Sequence, residues 1–283
     1  MDYFEHLWIL PAINFFFVPI SLFICYFVAT QISGNVPAFF PVVSACGQLI
    51  PERYVFTICL NLATITLVLQ MLCKRAIVHR LLASLTRHKG RLLKVAILGS
   101  DIAWMAAVPG FLITANAEYV DNPPLHNAGA LTMFGCIFAM QFFDTVVSAF
   151  LRPLLPLPMV VLRWTLFLVN AATFLLFSVT TAYVLPRDVD VAAALPKHTT
   201  AQNLPKNIGK SVILGSPRYY ATIVWSISEW TMVSLVGLHL LTYAYEFSKF
   251  KVSRPVFAWK RFPDDELDEA DHLLSRRRYG SLG

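Results

Sequence analysis

The sequence predicts an all-α, polytopic membrane protein with six transmembrane helices and both termini in the cytosol. Three observations predict it. Apolar residues make up 57% of the chain and charged residues 14%, whereas soluble domains carry about 25% charge. The apolar residues gather in blocks of about 20, the length a helix needs to cross ~30 Å of hydrocarbon at ~1.5 Å per residue. Lys and Arg divide unequally between alternate loops, and that bias sets orientation. Such a composition excludes an ordinary soluble enzyme and a disordered chain. The formal charge of +6 bears on topology and lipid contact, because the cations are scattered over loops with no aromatic platform for nucleic acid.

The first span runs about 7–29, broken by Pro11 and Pro19, and the others about 54–73, 95–114, 128–150, 164–184 and 219–245. Proline inside a span is tolerated where neighbouring helices satisfy the freed backbone groups. Pro153, Pro156 and Pro158 soften the fifth start, and Arg163 is placed at the interface, where a long cation snorkels. The acidic N-terminus (Asp2, Glu5) and the long first apolar stretch argue for a retained signal anchor over a cleaved peptide. The chain thus divides into a six-helix domain, 1–245, and a tail, 246–283, expected to be disordered.

Seventeen Lys and Arg residues lie in the loops after spans two and four and in the tail, against six on the other side. Loops 30–53, 115–127 and 185–218 are therefore expected in the lumen or outside. Cys46 is the only cysteine in such a loop, so no disulfide scaffold is expected. No N-x-[ST] sequon occurs, and no transporter-type repeat is evident. Segment 76–93 mixes Ile77, Val78, Leu81, Leu82, Leu85 and Leu92 with cations. It reads equally as a helix lying in the interface or as extensions of spans two and three.

Nothing in the sequence carries a catalytic signature: there is no Walker loop, dinucleotide fingerprint, H-E-x-x-H or G-x-S-x-G. No cofactor or metal is expected. Ionisable residues within spans are more informative, since each costs about 2.5–3.5 kcal/mol at a helix centre. Asp101 and Asp144 lie toward the cytosolic ends of their spans and read as structural, and His239 also falls within a span. Glu229 lies ~15 Å deep in span six. It calls for an interhelical hydrogen bond, to Asn61, Asn170 or a serine, or for a polar cavity holding a headgroup, ion or proton. His126 starts span four and reads first as a cap, second as part of a cavity with Glu229. The apolar luminal loop from Phe39 to Tyr54 suggests a folded cap, with Glu52 as N-cap of span two.

The spacing P-x-x-S-x-x-G-x-x-x-P-E-x-x-x-F, carried by Pro41, Ser44, Gly47, Pro51, Glu52 and Phe56, resembles the signature of the damage-regulated autophagy modulator (DRAM) family. His126-Asn-Ala-Gly129-Ala130 and Glu229-Trp230-Thr231 fit the same family. Ala45 stands where the family usually has an acid, and Ile50 where it has the first of two prolines. The wider superfamily includes plasma-membrane regulators of phosphoinositide kinase and a Golgi factor for GPI-anchor lipid remodelling. The resemblance implies a six-helix protein of lysosomal, endosomal or plasma membranes that promotes autophagy or organises lipid signalling, with no agreed catalytic residues.

The tail has two short patterns of its own. Glu269-x-x-x-Leu273-Leu274 has the acidic dileucine spacing read by clathrin adaptors, and Tyr279-x-x-Leu282 the tyrosine-based sorting spacing. Cations of residues 246–261 and of the loop after span two suit an anionic cytosolic leaflet, at about 1 kcal/mol each. The expected function is a non-catalytic lysosomal or late-endosomal protein modulating autophagy or lysosome function, binding lipid or a membrane-protein partner. The rivals are a GPI-anchor-type lipid-remodelling factor using His126 and Glu229, a plasma-membrane regulator of phosphoinositide kinase, and a transporter or channel using Glu229, Asn61 and Asn170, with the plasma membrane or Golgi as the alternative location.

Overall fold

Among the helix ends whose caps are described, only the start of the helix Pro123–Phe150 is held by a side-chain hydrogen bond. The computed structural model describes residues 3–4, 6–36, 41–84, 90–117, 121–152, 155–193, 217–250 and 252–253. Six helices are long and apolar enough to cross a membrane: 9–32, 52–81, 91–116, 123–150, 157–182 and 219–247. The expected all-α six-span class is what the structure shows.

Helix α1, Ile9–Phe27, carries Pro11 in its first turn, where the missing N–H has no partner to lose, and Pro19 in its interior. It ends in a wider π turn, Val28–Ile32, after which Gly34 takes φ +64 and reverses the chain. The cap follows as a single 3₁₀ turn, Ser44–Gly47, and α2 begins at Glu52 and continues to Ser84. Helix α3 spans Arg91–Asn116 and α4 spans Pro123–Phe150. The start of α4 is fixed by Asn122, whose side chain accepts from the Leu125 amide at 3.2 Å, with prolines in the first two helical positions. Helix α5 covers Leu157–Ala193, and α6, Pro217–Leu241, is followed after Thr242 by the short α7, Tyr243–Phe247.

Three differences from the sequence reading have physical causes. The described parts of the segment after span two are helix: α2 runs through Ser84 and α3 starts at Arg91, so of the two readings these parts fit the extensions. Its apolar residues Ile77 and Val78 are buried against the bundle and need no interface. Helix α5 starts at Leu157, so Arg163 lies inside the span and is fully buried rather than snorkelling. Glu246 and Phe247 also belong to the bundle, both buried in α7, and the helical unit extends over His6–Phe250 instead of stopping at 245.

The core has a main cluster built on Trp104, Phe134, Met140, Trp225, Met232, Tyr243 and Phe247. A second, around Leu93, Val147, Leu151 and Val160, lies where α3, α4 and α5 approach the ends near 90, 150 and 157. A third joins Leu22, Cys25 and Ala29 to Val43, Cys46 and Phe56, seating the cap between α1 and α2. Leu, Ile, Phe and Val project outward along every span, as the lipid-facing side of a bundle requires. Residues 1–5 and 251–283 form a separate unit. In it Tyr3–Phe4 (β1) pairs antiparallel with Val252–Ser253 (β2), Tyr3 opposite Ser253.

Candidate functional site

The cap is short of regular hydrogen bonds, so its backbone groups must find side chains. Two consecutive residues of α6 supply them. Glu229 accepts from the Val43 amide at 2.7 Å, with the Ser44 amide on the same carboxylate, and Trp230 donates its indole N–H to the Pro41 carbonyl at 2.9 Å. The pair therefore grips residues 41–44 from both directions, by an acceptor for N–H and a donor for C=O. Tyr26 packs edge-on against Trp230 with ring centroids 6.4 Å apart, which fixes the indole. Gly47 completes the fit: a Cβ there would meet the Phe56 ring at 2.3 Å, so only glycine lets the 3₁₀ turn lie on α2.

Glu52 is not an N-cap. It is the first helical residue of α2, fully buried, and its carboxylate accepts from Ser33 Oγ at 3.1 Å and Asn35 Nδ2 at 2.6 Å. The carboxylate thus ties the end of α1 to the start of α2, while its charge still sits at a helix N-terminus where the dipole favours it. Burial holds the Cys46 thiol neutral, its pKa pushed up to about 12, with the Glu229, Cys25 and Glu52 charges adding to the effect.

The hydrogen bonds of the four polar residues proposed for one cavity run to different partners. Asn61 exchanges hydrogen bonds with Asn116 at 3.2 Å, joining α2 to α3. Asn170 donates to Gln141 at 2.6 Å, joining α5 to α4. His126 is buried, with Nδ1 2.8 Å from the Ala117 carbonyl at the α3–α4 corner. Glu229 is engaged by the cap amides instead. The sorting-pattern residues Glu269, Leu273, Leu274, Tyr279 and Leu282 lie outside the described residues.

Near the opposite end of the bundle lies a larger polar assembly that the sequence reading missed. Asp144 of α4 binds Lys74 of α2, the Tyr243 hydroxyl and Ser100 of α3, the last at 2.6 Å. Arg163 of α5 forks onto both carboxylate oxygens of Glu246 at 3.0 and 2.8 Å, and also donates to Ser148 at 2.6 Å and Thr242 at 2.8 Å. The Tyr243 ring sits between the two cations, with Lys74 Nζ 3.7 Å and the Arg163 guanidinium 4.9 Å from its centroid. Two positive and two negative groups are thereby neutralised pairwise among residues that are all buried. Farther along, Asn14 of α1 donates to Gln70 of α2 at 2.6 Å, and Gln70 donates to the Leu240 carbonyl at 3.2 Å. All six spans contribute. Lys74, Arg163 and Glu246 lie at the margins of hydropathy blocks, where a solvated flank was the simpler reading. A signal existed in Arg163, six residues into a helix that opens right after Pro156.

Neither region offers a cluster of His, Cys, Asp and Glu able to hold a metal among the described residues. The cap geometry unites the separate motifs noted in the sequence, since Pro41 and Ser44 are held by Glu229-Trp230, and Gly47 and Glu52 lock onto α2 and α1. The sequence matches no curated protein, and the fold matches no solved structure. A family model, the Frag1/DRAM/Sfk1/Cwh43P N-terminal domain, matches residues 6–250, the same stretch that forms the helical unit. The chain belongs to this Frag1/DRAM/Sfk1/Cwh43P family of multi-pass membrane proteins.

Proposed function

We propose that the protein is a non-catalytic component of lysosomal or late-endosomal membranes that modulates autophagy or lysosome function by holding a lipid or a membrane partner against its helices. The observation that carries the non-catalytic part is the engagement of Glu229. The intramembrane carboxylate best suited to acid–base chemistry is already bound to cap amides, while His126 is bound to a different segment. A general acid–base pair would need both within reach of one reacting atom. The reading also places both termini in the cytosol. Lys74 and Arg163 are buried in ion pairs, and setting them aside still leaves the basic balance heavily on the side of the tail. The tail then presents its dileucine and tyrosine patterns to clathrin adaptors.

One rescue experiment tests both parts. Cells lacking the protein receive tagged wild type, Glu229→Gln, or a variant with Leu273, Leu274 and Tyr279 changed to Ala, and autophagic flux and location are scored. Glutamine keeps an acceptor oxygen for the cap but cannot exchange a proton, so Glu229→Gln should restore flux at normal abundance. Failure to do so with normal abundance and location would overturn the non-catalytic reading. The tail variant should shift from lysosomes to the cell surface, and an unchanged lysosomal location sinks the sorting argument.

A further inference from the structure

One cleft in the bundle joins charge to a lipid-facing surface. It lies between α2, α3 and α4, lined by Met71, Lys74, Arg75, Ser100, Asp101 and Asp144 among others, and has about 20 Å³ of free volume. The cleft is open on its outer side rather than enclosed. At its inner wall Lys74 and Asp144 neutralise each other within the buried network. At its mouth Arg75 faces Asp101 at 3.5 Å, with the Arg75 side chain 54% and the Asp101 side chain 25% exposed. This outer pair is loose, and Arg75 makes no other ionic contact among the described residues.

The surroundings make that exposure costly. Leu72, one turn before Arg75, and Leu98 and Ile102, beside Asp101, all point outward. Arg75 lies six residues inside the end of its span, ~9 Å along the axis, where a 30-residue helix meets the edge of the hydrocarbon. Half-exposed charges at that depth are stable only where polar groups reach them. Arg75 meets Asp101 through Nε, which leaves the other guanidinium donors for a phosphate, and the carboxylate beside it accepts from a cationic donor. The cleft carries no net charge, because two cations face two carboxylates.

We propose that this cleft holds the headgroup of a zwitterionic phospholipid bearing a primary ammonium, of the phosphatidylethanolamine class. Arg75 takes the phosphate, Asp101 takes the ammonium, and Leu72, Leu98 and Ile102 lie along the acyl chains. Asp101 favours the primary ammonium over choline, since an –NH₃⁺ donates hydrogen bonds to a carboxylate and a quaternary ammonium has none to give. The charge balance favours a zwitterion over an anionic headgroup. This inference deepens the lipid arm of the proposed function, and it concerns a different region from the cap.

The test uses the full-length protein purified in detergent and exchanged into mixed micelles with equal dioleoyl phosphatidylethanolamine, phosphatidylcholine and phosphatidylglycerol. Retained lipid is counted by mass spectrometry. Wild type should retain phosphatidylethanolamine over phosphatidylcholine by about fivefold, equivalent to about 1 kcal/mol. Asp101→Asn should bring that ratio to near one, Arg75→Gln should lower retention of both, and Asp101→Glu should keep the preference. A wild-type ratio near one, a preference for phosphatidylglycerol, or a ratio unchanged in well-folded Asp101→Asn would each overturn the assignment. Because the readout is lipid identity in vitro, its failure leaves the lysosomal reading standing. A failed rescue in cells likewise leaves the lipid ratio intact.

Discussion

At the scale of single residues, Glu229 illustrates how an expensive group becomes structural. A carboxylate within a span forfeits much of its hydration, and the two cap amides that it accepts from would otherwise be orphaned in a water-poor setting. The costs cancel only because both partners are present. Glu229→Ala leaves the amides unmatched, at about 1–3 kcal/mol for each. Trp230→Phe keeps the ring but drops the bond to Pro41, at about 1 kcal/mol. Thermal unfolding in detergent should therefore rank wild type above Trp230→Phe and Trp230→Phe above Glu229→Ala. Equal midpoints for wild type and Glu229→Ala would show that the clamp contributes nothing. The sequence exposed the residue types of this clamp but not the pairing. Glu229 and Val43 are 186 positions apart, and nothing local in either segment names the other.

At the scale of elements, α3 and α4 make the most extensive helix contact among the described residues, and glycines lie within it. A Cβ at Gly110 would lie 2.6 Å from the Met133 backbone nitrogen and 3.0 Å from the Gly129 carbonyl, and a Cβ at Gly129 would meet Ile113 at 2.6 Å. Small residues facing one another let backbones approach, which gives van der Waals packing where lipid offers no hydrophobic drive. Gly110→Ala must push backbone against backbone, and overpacking of this kind costs about 1–3 kcal/mol. Gly135, on the same helix α4, meets only Phe174 at 3.9 Å. There alanine should be neutral or gain up to about 1 kcal/mol in helix propensity. A thermal midpoint lowered by Gly135→Ala and not by Gly110→Ala would contradict the crossing. The helices themselves were readable because hydropathy is local. Their ends were not: Arg91 begins α3 with no side-chain cap on Gly90, and Glu52 and Leu157 likewise open helices ahead of the apolar blocks.

At the scale of the whole molecule, the buried ion pairs staple helices that hydropathy alone would leave interchangeable. Arg163–Glu246 joins α5 to α7, while Lys74–Asp144 joins α2 to α4. Breaking one partner of such a pair typically costs about 3–5 kcal/mol, whereas replacing both with apolar residues is often neutral. Arg163→Met and Glu246→Leu should each destabilise strongly, and the double variant should recover most of the loss in a thermal double-mutant cycle. Additive losses would show that the two groups act independently. The six-span class was legible because it needs only counts and block lengths. The network was not, because Lys74 and Arg163 look like any flanking cation until a carboxylate from a distant span is placed beside them.

The separation of Arg163 from its partner also has a consequence for synthesis. The two residues are 83 positions apart, and Glu246 arrives with the sixth span. At about 5–20 residues per second, a nascent chain carries an arginine without its carboxylate in its fifth span for roughly 4–17 s before Glu246 is made. A chain truncated before α6 never loses that mark. Arrival of the sixth span is thus recorded by the pairing of one buried charge within the bilayer.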